Sequence, residues 1–418
     1  MKILPYDKRK YYCNLMLVFL LIYISEDVLV FGTNSNRAFF VIKAAFVSAA
    51  LCLLLLLDLI KGKKYHTSSI VTVILLAINL VSTCVFWSET DNRNVYTFVL
   101  MLLSVVVVNR VSKSEFILIY TKIMKFLAIF SLVQYALFLL AYPITLFAPQ
   151  TVNNNGLQFS NWIFTVSLNK EFYYIMPYRN WGIYREPGVY IVFLVLALML
   201  ETFCMPNPKK RDIVVYSITI ITTFSTAGYI VLAIVLLTYI IQSIGDRRKK
   251  VWGLLGIVAA ILLTVLCVEI FDIPVYNWVF KKLNFSGGST GSRVGAVLSN
   301  IASFVKSPFL GTGWIGMAEN SATIQTIVVT HHNTNTLLIY FAVYGVVYGC
   351  AMLWGSIRFF ITLKPGIIGL LMALCWILAL SNENLTLNNV IYLVSFYGLV
   401  YGAKKDTSIE DGRECIRV

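Results

Sequence analysis

The stretch YREPGVYIVFLVLALMLETFCMPNPKKR, residues 184–211, holds the pattern that decides the fold. Its apolar run over residues 188–205 is close to the roughly 20 residues that a helix needs to cross the hydrocarbon core of a bilayer. Pro187 suits the first turn of this helix, because its missing N–H would have no intrahelical partner there. The basic cluster at residues 209–211 is typical of a loop on the cytoplasmic side of a membrane.

Similar apolar blocks recur along the whole chain. Hydrophobic residues make up 58% of the sequence and charged residues only 13%, against about 25% charged in a soluble domain. Because the bilayer core holds no water for unpaired backbone groups, such blocks predict helices. The sequence predicts an all-α polytopic integral membrane protein, one membrane domain over residues 1–418 with about twelve transmembrane helices. The predicted helices are 12–24, 39–60, 70–87, 95–108, 116–140, 188–205, 213–225, 227–244, 251–271, 335–359, 366–380 and 388–402.

The positive charge follows the same pattern. Of the 34 lysines and arginines, 24 lie in or beside the short segments predicted to be cytoplasmic, 9 lie outside, and Lys43 lies within a helix. This asymmetry is the one that the positive-inside rule predicts, so the net charge of +14 needs no nucleic-acid partner. It predicts that both termini are cytoplasmic, including a tail over residues 403–418. None of the eight cysteines lies in a long polar loop, so no disulfide and no metal-binding cysteine pair is predicted.

Two long loops, residues 143–187 and 272–334, are predicted on the outer side. Both are rich in aromatic residues, which argues against disorder, and loops of this length are usually functional when ordered. The first loop places Arg185 and Glu186 at the mouth of the helix that begins at Pro187. These residues and the loop's rings form either an interfacial aromatic belt with a snorkelling arginine, or a site for a sugar carried on a phosphate.

The second loop contains a predicted amphipathic helix over residues 292–305, which lies on the outer surface and ends before Pro308. Arg293 falls in its first turn, where free N–H groups favour an anion; alternatively, Arg293 snorkels to lipid headgroups. The loop ends with His331-His332-Asn333. The histidines are candidates for a general base, for a hydrogen-bond donor to phosphate or for structural hydrogen bonding, and no third ligand for a metal lies near them in the sequence.

Four short motifs carry a family resemblance. They are Arg185-Glu186-Pro187-Gly188, the stretch KSPFLGTGW at residues 306–314, His332-Asn333 before a helix, and STAGY at residues 225–229. Together with the helix pattern and the two loops, they resemble the bacterial O-antigen and capsule polysaccharide polymerases (Wzy type), which share a superfamily with the O-antigen ligases. The family favours an arginine near the S-T-x-G turn, and this chain lacks one. Ligases often have H-x-H-N, so His331-His332-Asn333 favours a polymerase.

The resemblance implies a glycosyltransferase of the bacterial cytoplasmic (inner) membrane. Such an enzyme joins undecaprenyl-diphosphate-linked repeat units into a surface polysaccharide, without a cofactor or metal, beside a flippase and a chain-length regulator. It implies that Arg185 and Arg293 bind the diphosphate and that Glu186 or His332 is the base. The residues expected to bind substrate are Arg179, Trp181, Tyr184, Tyr229, His331 and Asn333. A ligase, a flippase or other transporter, and a non-catalytic scaffold are the alternatives; a transporter would show internal repeats and mid-membrane polar residues.

Overall fold

The computed structural model describes residues 8–29, 37–152, 156–172, 179–243, 288–325 and 333–401. Within these ranges most of the chain is α-helical, in fourteen helices. They are α1 (Lys8–Tyr23), α2 (Arg37–Ile60), α3 (Thr67–Trp87), α4 (Asn92–Arg110), α5 (Lys113–Leu140), α6 (Tyr142–Thr145), α7 (Pro187–Met199), α8 (Lys210–Thr222), α9 (Thr226–Ser243), α10 (Gly288–Lys306), α11 (Gly313–Gln325), α12 (Thr336–Leu363), α13 (Ile367–Leu380) and α14 (Asn389–Val400).

Five of the described helices are long and apolar enough to cross a membrane, which makes the chain a helical membrane protein. They are α3, α4, α5, α12 and α7 with its π-helical extension Leu200–Cys204. Four shorter apolar stretches lie in α2, α9, α13 and α14. The predicted helix over residues 251–271 lies outside the described residues.

Helix α7 is the centre of the packing. It begins at Pro187, as predicted, with the proline in its first turn. Every side chain from Val189 to Leu200 is at most 2% exposed, and α5, α8, α9 and α13 all pack against it. A helix that is apolar on all sides is usually buried on all sides. Other helices therefore surround α7, and its first residues lie among the ends of these helices.

The two long loops contain more regular structure than the sequence predicts. The helix predicted over residues 292–305 is confirmed as α10 and is not among the five candidate spans. The second loop also contains α11, which the sequence analysis missed. The first loop contains an antiparallel sheet, in the order β1 (Gln150–Val152), β2 (Gln158–Asn161) and β3 (Val166–Leu168). The all-α prediction is therefore wrong for this loop, because strands of three or four residues are too short to show an alternating pattern.

The turns between helices are grouped at two ends. At one end, Arg110 pairs with Asp58 at 2.7 Å, and the buried Lys113 donates to the Phe359 carbonyl at 3.1 Å. We call this the basic end, because the basic residues of the described short turns collect there. The opposite end, which we call the Arg185 end, holds the start of α7 and the turns after α1, α3, α8 and α13.

The connection between α10 and α11 inserts into a break in α12. The break lies at Gly345, whose φ of 78° is not helical. The N–H of Thr312 donates to the Ala342 carbonyl at 2.8 Å, and the N–H of Val346 donates to the Pro308 carbonyl at 2.7 Å. A broken membrane helix needs such partners for its free backbone groups. The KSPFLGTGW stretch therefore completes the backbone hydrogen bonding of α12.

Gly311 is the residue of this connection that tolerates substitution least. A Cβ on Gly311 would lie 2.2 Å from the Val343 carbonyl oxygen, and its φ is +69°. Gly62 has a φ of +60° but nothing within 4 Å. We expect Gly62→Ala to lose only the roughly 1–2 kcal/mol of a left-handed residue, and Gly311→Ala to lose about 1–3 kcal/mol more from overpacking. Denaturation of the detergent-solubilised variants measures both losses, and equal losses would contradict the insertion of this connection into α12.

Candidate functional site

An ion pair joins three segments at the Arg185 end. Arg185 Nε donates to Asp27 Oδ1 at 3.0 Å, and Arg185 Nη2 donates to the Asn384 carbonyl at 2.9 Å. The backbone N–H of Arg185 also donates to the Asp27 carbonyl at 2.9 Å. The second carboxylate oxygen of Asp27 accepts from Asn388 Nδ2 at 2.7 Å. The end of α1, the mouth of α7 and the turn between α13 and α14 are thus held together around one nearly buried carboxylate.

Two glutamates lie beside this ion pair. Glu186 is the N-cap residue of α7 in an extended conformation, and its side chain does not cap the helix; that side chain is 38% exposed and lies 3.9 Å from Arg185. Glu383, in the turn between α13 and α14, is only 7% exposed. Its carboxyl group lies against the backbone of Gly188, where a Cβ would be 1.9 Å from Oε1. Gly188 of the R-E-P-G motif therefore makes room for the Glu383 carboxyl group.

Two further arginines face the same glutamates. Arg179 Nε donates to the Thr223 carbonyl, in the turn between α8 and α9, at 2.7 Å. The charges of Glu186, Glu383 and Arg293 all act on Arg179. Arg293, exposed on α10, acts on Glu383 as well. Three arginines, two from the stretch that leads into α7 and one from α10, therefore lie close enough to affect these two carboxyl groups electrostatically.

The electrostatics of this cluster favour an anion. Burial raises the pKa of Glu383 to about 8, an effect that the Glu186 charge increases and the three arginines oppose. Burial also lowers the pKa of Arg179 to about 10. Burial acts to lower the pKa of Arg185, but nearby carboxylates outweigh it and raise that pKa. The raised pKa favours the neutral form of the Glu383 carboxyl group near neutral pH, which leaves less negative charge beside the arginines.

Helix α10 is held in place by an amide pair. Asn333 Nδ2 donates to Asn300 Oδ1 at 2.9 Å, and Asn300 Nδ2 donates back to Asn333 Oδ1 at 3.0 Å. Asn333 thereby links the helix that carries Arg293 to the segment that leads into α12. His331 and His332 of the same motif lie outside the described residues.

The aromatic candidates lie near the cluster but pack within the protein. Trp181 is 1% exposed and contacts Phe159 at 4.8 Å between ring centroids, beneath the small sheet. Tyr184 is fully buried and stacks on Phe193 at 4.5 Å. Both rings are covered by other side chains, whereas the family resemblance implies that they bind substrate. Tyr229 is half-buried, and its hydroxyl donates to the Ile221 carbonyl at 3.0 Å.

Asp27 and Glu383 are the two site residues that sequence reasoning missed. Both lie in short polar turns after apolar blocks, on the side predicted to be outside. An acidic residue in such a turn can be recognised in the sequence as a candidate site residue. Arg185, which faces both of them, lies more than 150 residues away from each in the sequence, and only the packing of α1, α7, α13 and α14 brings them together.

Comparisons with protein-family models, with curated proteins and with solved structures find no match. Among the described residues, no group of three or more His, Cys, Asp and Glu is placed to hold a metal ion. The function is therefore inferred from the arginine–glutamate cluster and from the motifs that supply its residues.

The pairing of Asp27 with Arg185 predicts a strong stability effect. Asp27→Asn leaves the partly buried Arg185 without its carboxylate, and loss of one partner of such a pair costs about 3 kcal/mol. Denaturation of the solubilised variant measures this loss. In a double-mutant cycle with Arg185→Gln, we expect the combined loss to be clearly smaller than the sum of the single losses. Additive losses would show that the two side chains do not act as a pair.

Proposed function

We propose that this protein is a bacterial membrane glycosyltransferase that polymerises undecaprenyl-diphosphate-linked repeat units into a surface polysaccharide. The observation that carries the proposal is the convergence of Arg179, Arg185 and Arg293 on Glu186 and Glu383 among the ends of apolar helices. Arginine is the preferred partner of phosphate oxygens, which its planar group binds in pairs. A site at helix ends suits a substrate whose lipid stays in the bilayer while its headgroup reacts.

The reaction needs the two kinds of group that the cluster holds. The acceptor sugar hydroxyl forms a bond to the anomeric carbon of the donor, and the bond from that carbon to the phosphate oxygen breaks. The electron pair leaves with the lipid diphosphate, and the hydroxyl proton passes to a base. Preorganised positive charge at the leaving diphosphate lowers the barrier most, and the base adds to this effect.

The contacts of the three arginines indicate different roles for them. Arg185 already donates to Asp27 and to the Asn384 carbonyl, so we assign it mainly to positioning the mouth of α7. Arg293 is exposed on α10, and Arg179 donates through Nε to the Thr223 carbonyl, close enough to both glutamates for their charges to affect it. These two are the principal diphosphate ligands in the proposal. Glu186 and His332 remain candidates for the base from the motifs.

The proposed orientation places the basic end in the cytoplasm and the Arg185 end outside. It includes about twelve spans, both termini in the cytoplasm and the bacterial cytoplasmic membrane as the location. The support is the collection of lysines and arginines in the short turns of the basic end.

This topology predicts the outcome of reporter fusions. Fusions near Asn154 and Ser286 should be active in a reporter that works only outside the cytoplasm, because both sites lie in the long loops. A fusion at Lys250, in a basic cluster, should be active only in a cytoplasmic reporter. An extracytoplasmic signal at Lys250 would show that the helix count is shifted by one.

The proposed activity predicts that Arg293→Ala stops chain extension. Loss of one donor to the leaving group lowers the rate by about a hundredfold or more. Arg293→Lys should restore only part of it, because lysine grips one oxygen at a time. Lys306→Ala, at the exposed far end of the same helix, is the matched control and should keep normal glycan length.

The measurement is glycan length on a gel from cells that carry each variant. A polymerase defect leaves single repeat units on the outer face, a ligase defect leaves long chains on the lipid carrier, and a transporter defect leaves the units inside. Normal chain length in Arg293→Ala and Arg179→Ala would overturn the proposed function. Long carrier-linked chains or retained units would replace it with the ligase or the transporter.

A further inference from the structure

We propose that Glu383 is the base that accepts the proton of the acceptor hydroxyl in the reaction proposed above. The family resemblance implies that Glu186 or His332 is this base. No sequence motif points to the turn between α13 and α14, which carries Glu383. The inference rests on the proposed function, because only a glycosyl transfer needs this proton acceptor.

Glu383 is held rigidly at the centre of the cluster. Its carbonyl accepts from the N–H of Thr336 at 3.0 Å and from Thr336 Oγ1 at 2.7 Å. The same hydroxyl accepts from the N–H of Leu385 at 2.9 Å. These bonds fix the turn on Thr336, the first residue of α12, three positions after Asn333, which holds α10. A base whose backbone is fixed in this way needs little reorganisation during the reaction.

The Glu383 carboxyl group has the surroundings that a proton acceptor needs. Glu383 is only 7% exposed, and its carboxyl group lies against the bare backbone of Gly188. Among the described residues, no group donates a hydrogen bond to its carboxyl oxygens. By contrast, Glu186 is half-exposed, at the open mouth of α7. Glu383 is therefore the buried carboxyl group that is available to a substrate.

The charges that act on Glu383 come from the stretch that leads into α7 and from α10. Arg179 faces it from the segment after the small sheet, Arg185 and Glu186 from the mouth of α7, and Arg293 from α10. Burial, reinforced by the charge of Glu186, raises the pKa of Glu383 to about 8. A base is most effective when its pKa is near the working pH.

The proton balance of the step is complete without a further reactant. The oxygen of the acceptor hydroxyl bonds to the anomeric carbon, and its proton moves to Glu383. The carbon–oxygen bond to the diphosphate breaks, and its electron pair stays on the leaving group between Arg179 and Arg293. After product release, Glu383 returns the proton to water.

The test compares chain extension in permeabilised cells, between about pH 6 and pH 9, for wild type, Glu383→Gln, Glu383→Asp and Glu186→Gln. Because the carboxyl group must be ionised to act, the wild-type rate should rise with pH through about 8. Glu383→Gln should be about a hundredfold slower, and its rate should not rise with pH. Glu383→Asp should keep the rise at a reduced rate. The exposed Glu171, in the first outer loop, supplies the control, and Glu171→Gln should match wild type.

Three results would overturn the role of Glu383. They are a wild-type rate that does not change with pH, a Glu383→Gln variant with the wild-type profile, and loss of the pH-dependent rise in Glu186→Gln alone. If Glu383→Gln fails to insert in the membrane, the pH dependence of the rate in wild type and in Glu383→Asp still tests the role of Glu383. A normal Glu383→Gln with an inactive Arg293→Ala would refute this inference and leave the proposed function standing. Normal chain extension in both Glu383→Gln and Arg293→Ala would refute the proposed glycosyltransferase function itself.

Discussion

Backbone polar groups and charged side chains inside a helical membrane protein need partners within the protein, because the hydrocarbon supplies none. This constraint explains the two features on which the site depends. Asp27 is 4% exposed and is paired with Arg185 and Asn388. The break in α12 at Gly345 is bridged by backbone hydrogen bonds from the connection between α10 and α11. Both arrangements tie remote segments together, and these segments carry the arginines and glutamates of the cluster.

The cluster also shows how burial and charge act against each other. Burial favours the neutral form of a carboxyl group, and cations favour the ionised form. Glu383 experiences both effects, because it is buried against Gly188 and faces three arginines as well as Glu186. The result is a carboxyl group whose pKa is close to neutral pH, inside a region of positive charge. Such a combination fits the proposed transfer of a proton beside a phosphate.

The motifs of the chain take on distinct structural roles in this arrangement. In Arg185-Glu186-Pro187-Gly188, the arginine ties α7 to Asp27, the proline starts the helix, and the glycine admits Glu383. In the KSPFLGTGW stretch, the backbone completes α12. Asn333 positions α10 and so places Arg293. Each motif therefore acts through backbone geometry as much as through the reactivity of its side chains.

The sequence by itself determined the membrane class, most helix positions, the start of α7 at Pro187 and the helix that carries Arg293. These features are local, because apolar length, proline geometry and helical spacing act over one element. The small sheet and α11 stayed hidden, since three-residue strands and a short polar helix carry weak periodicity. Only the tertiary structure decided that Trp181 and Tyr184 are covered and that Asp27 and Glu383 join the arginines. The contacts of Arg185 with Asp27 and Asn384 join residues more than 150 positions apart, and they depend on how whole helices pack.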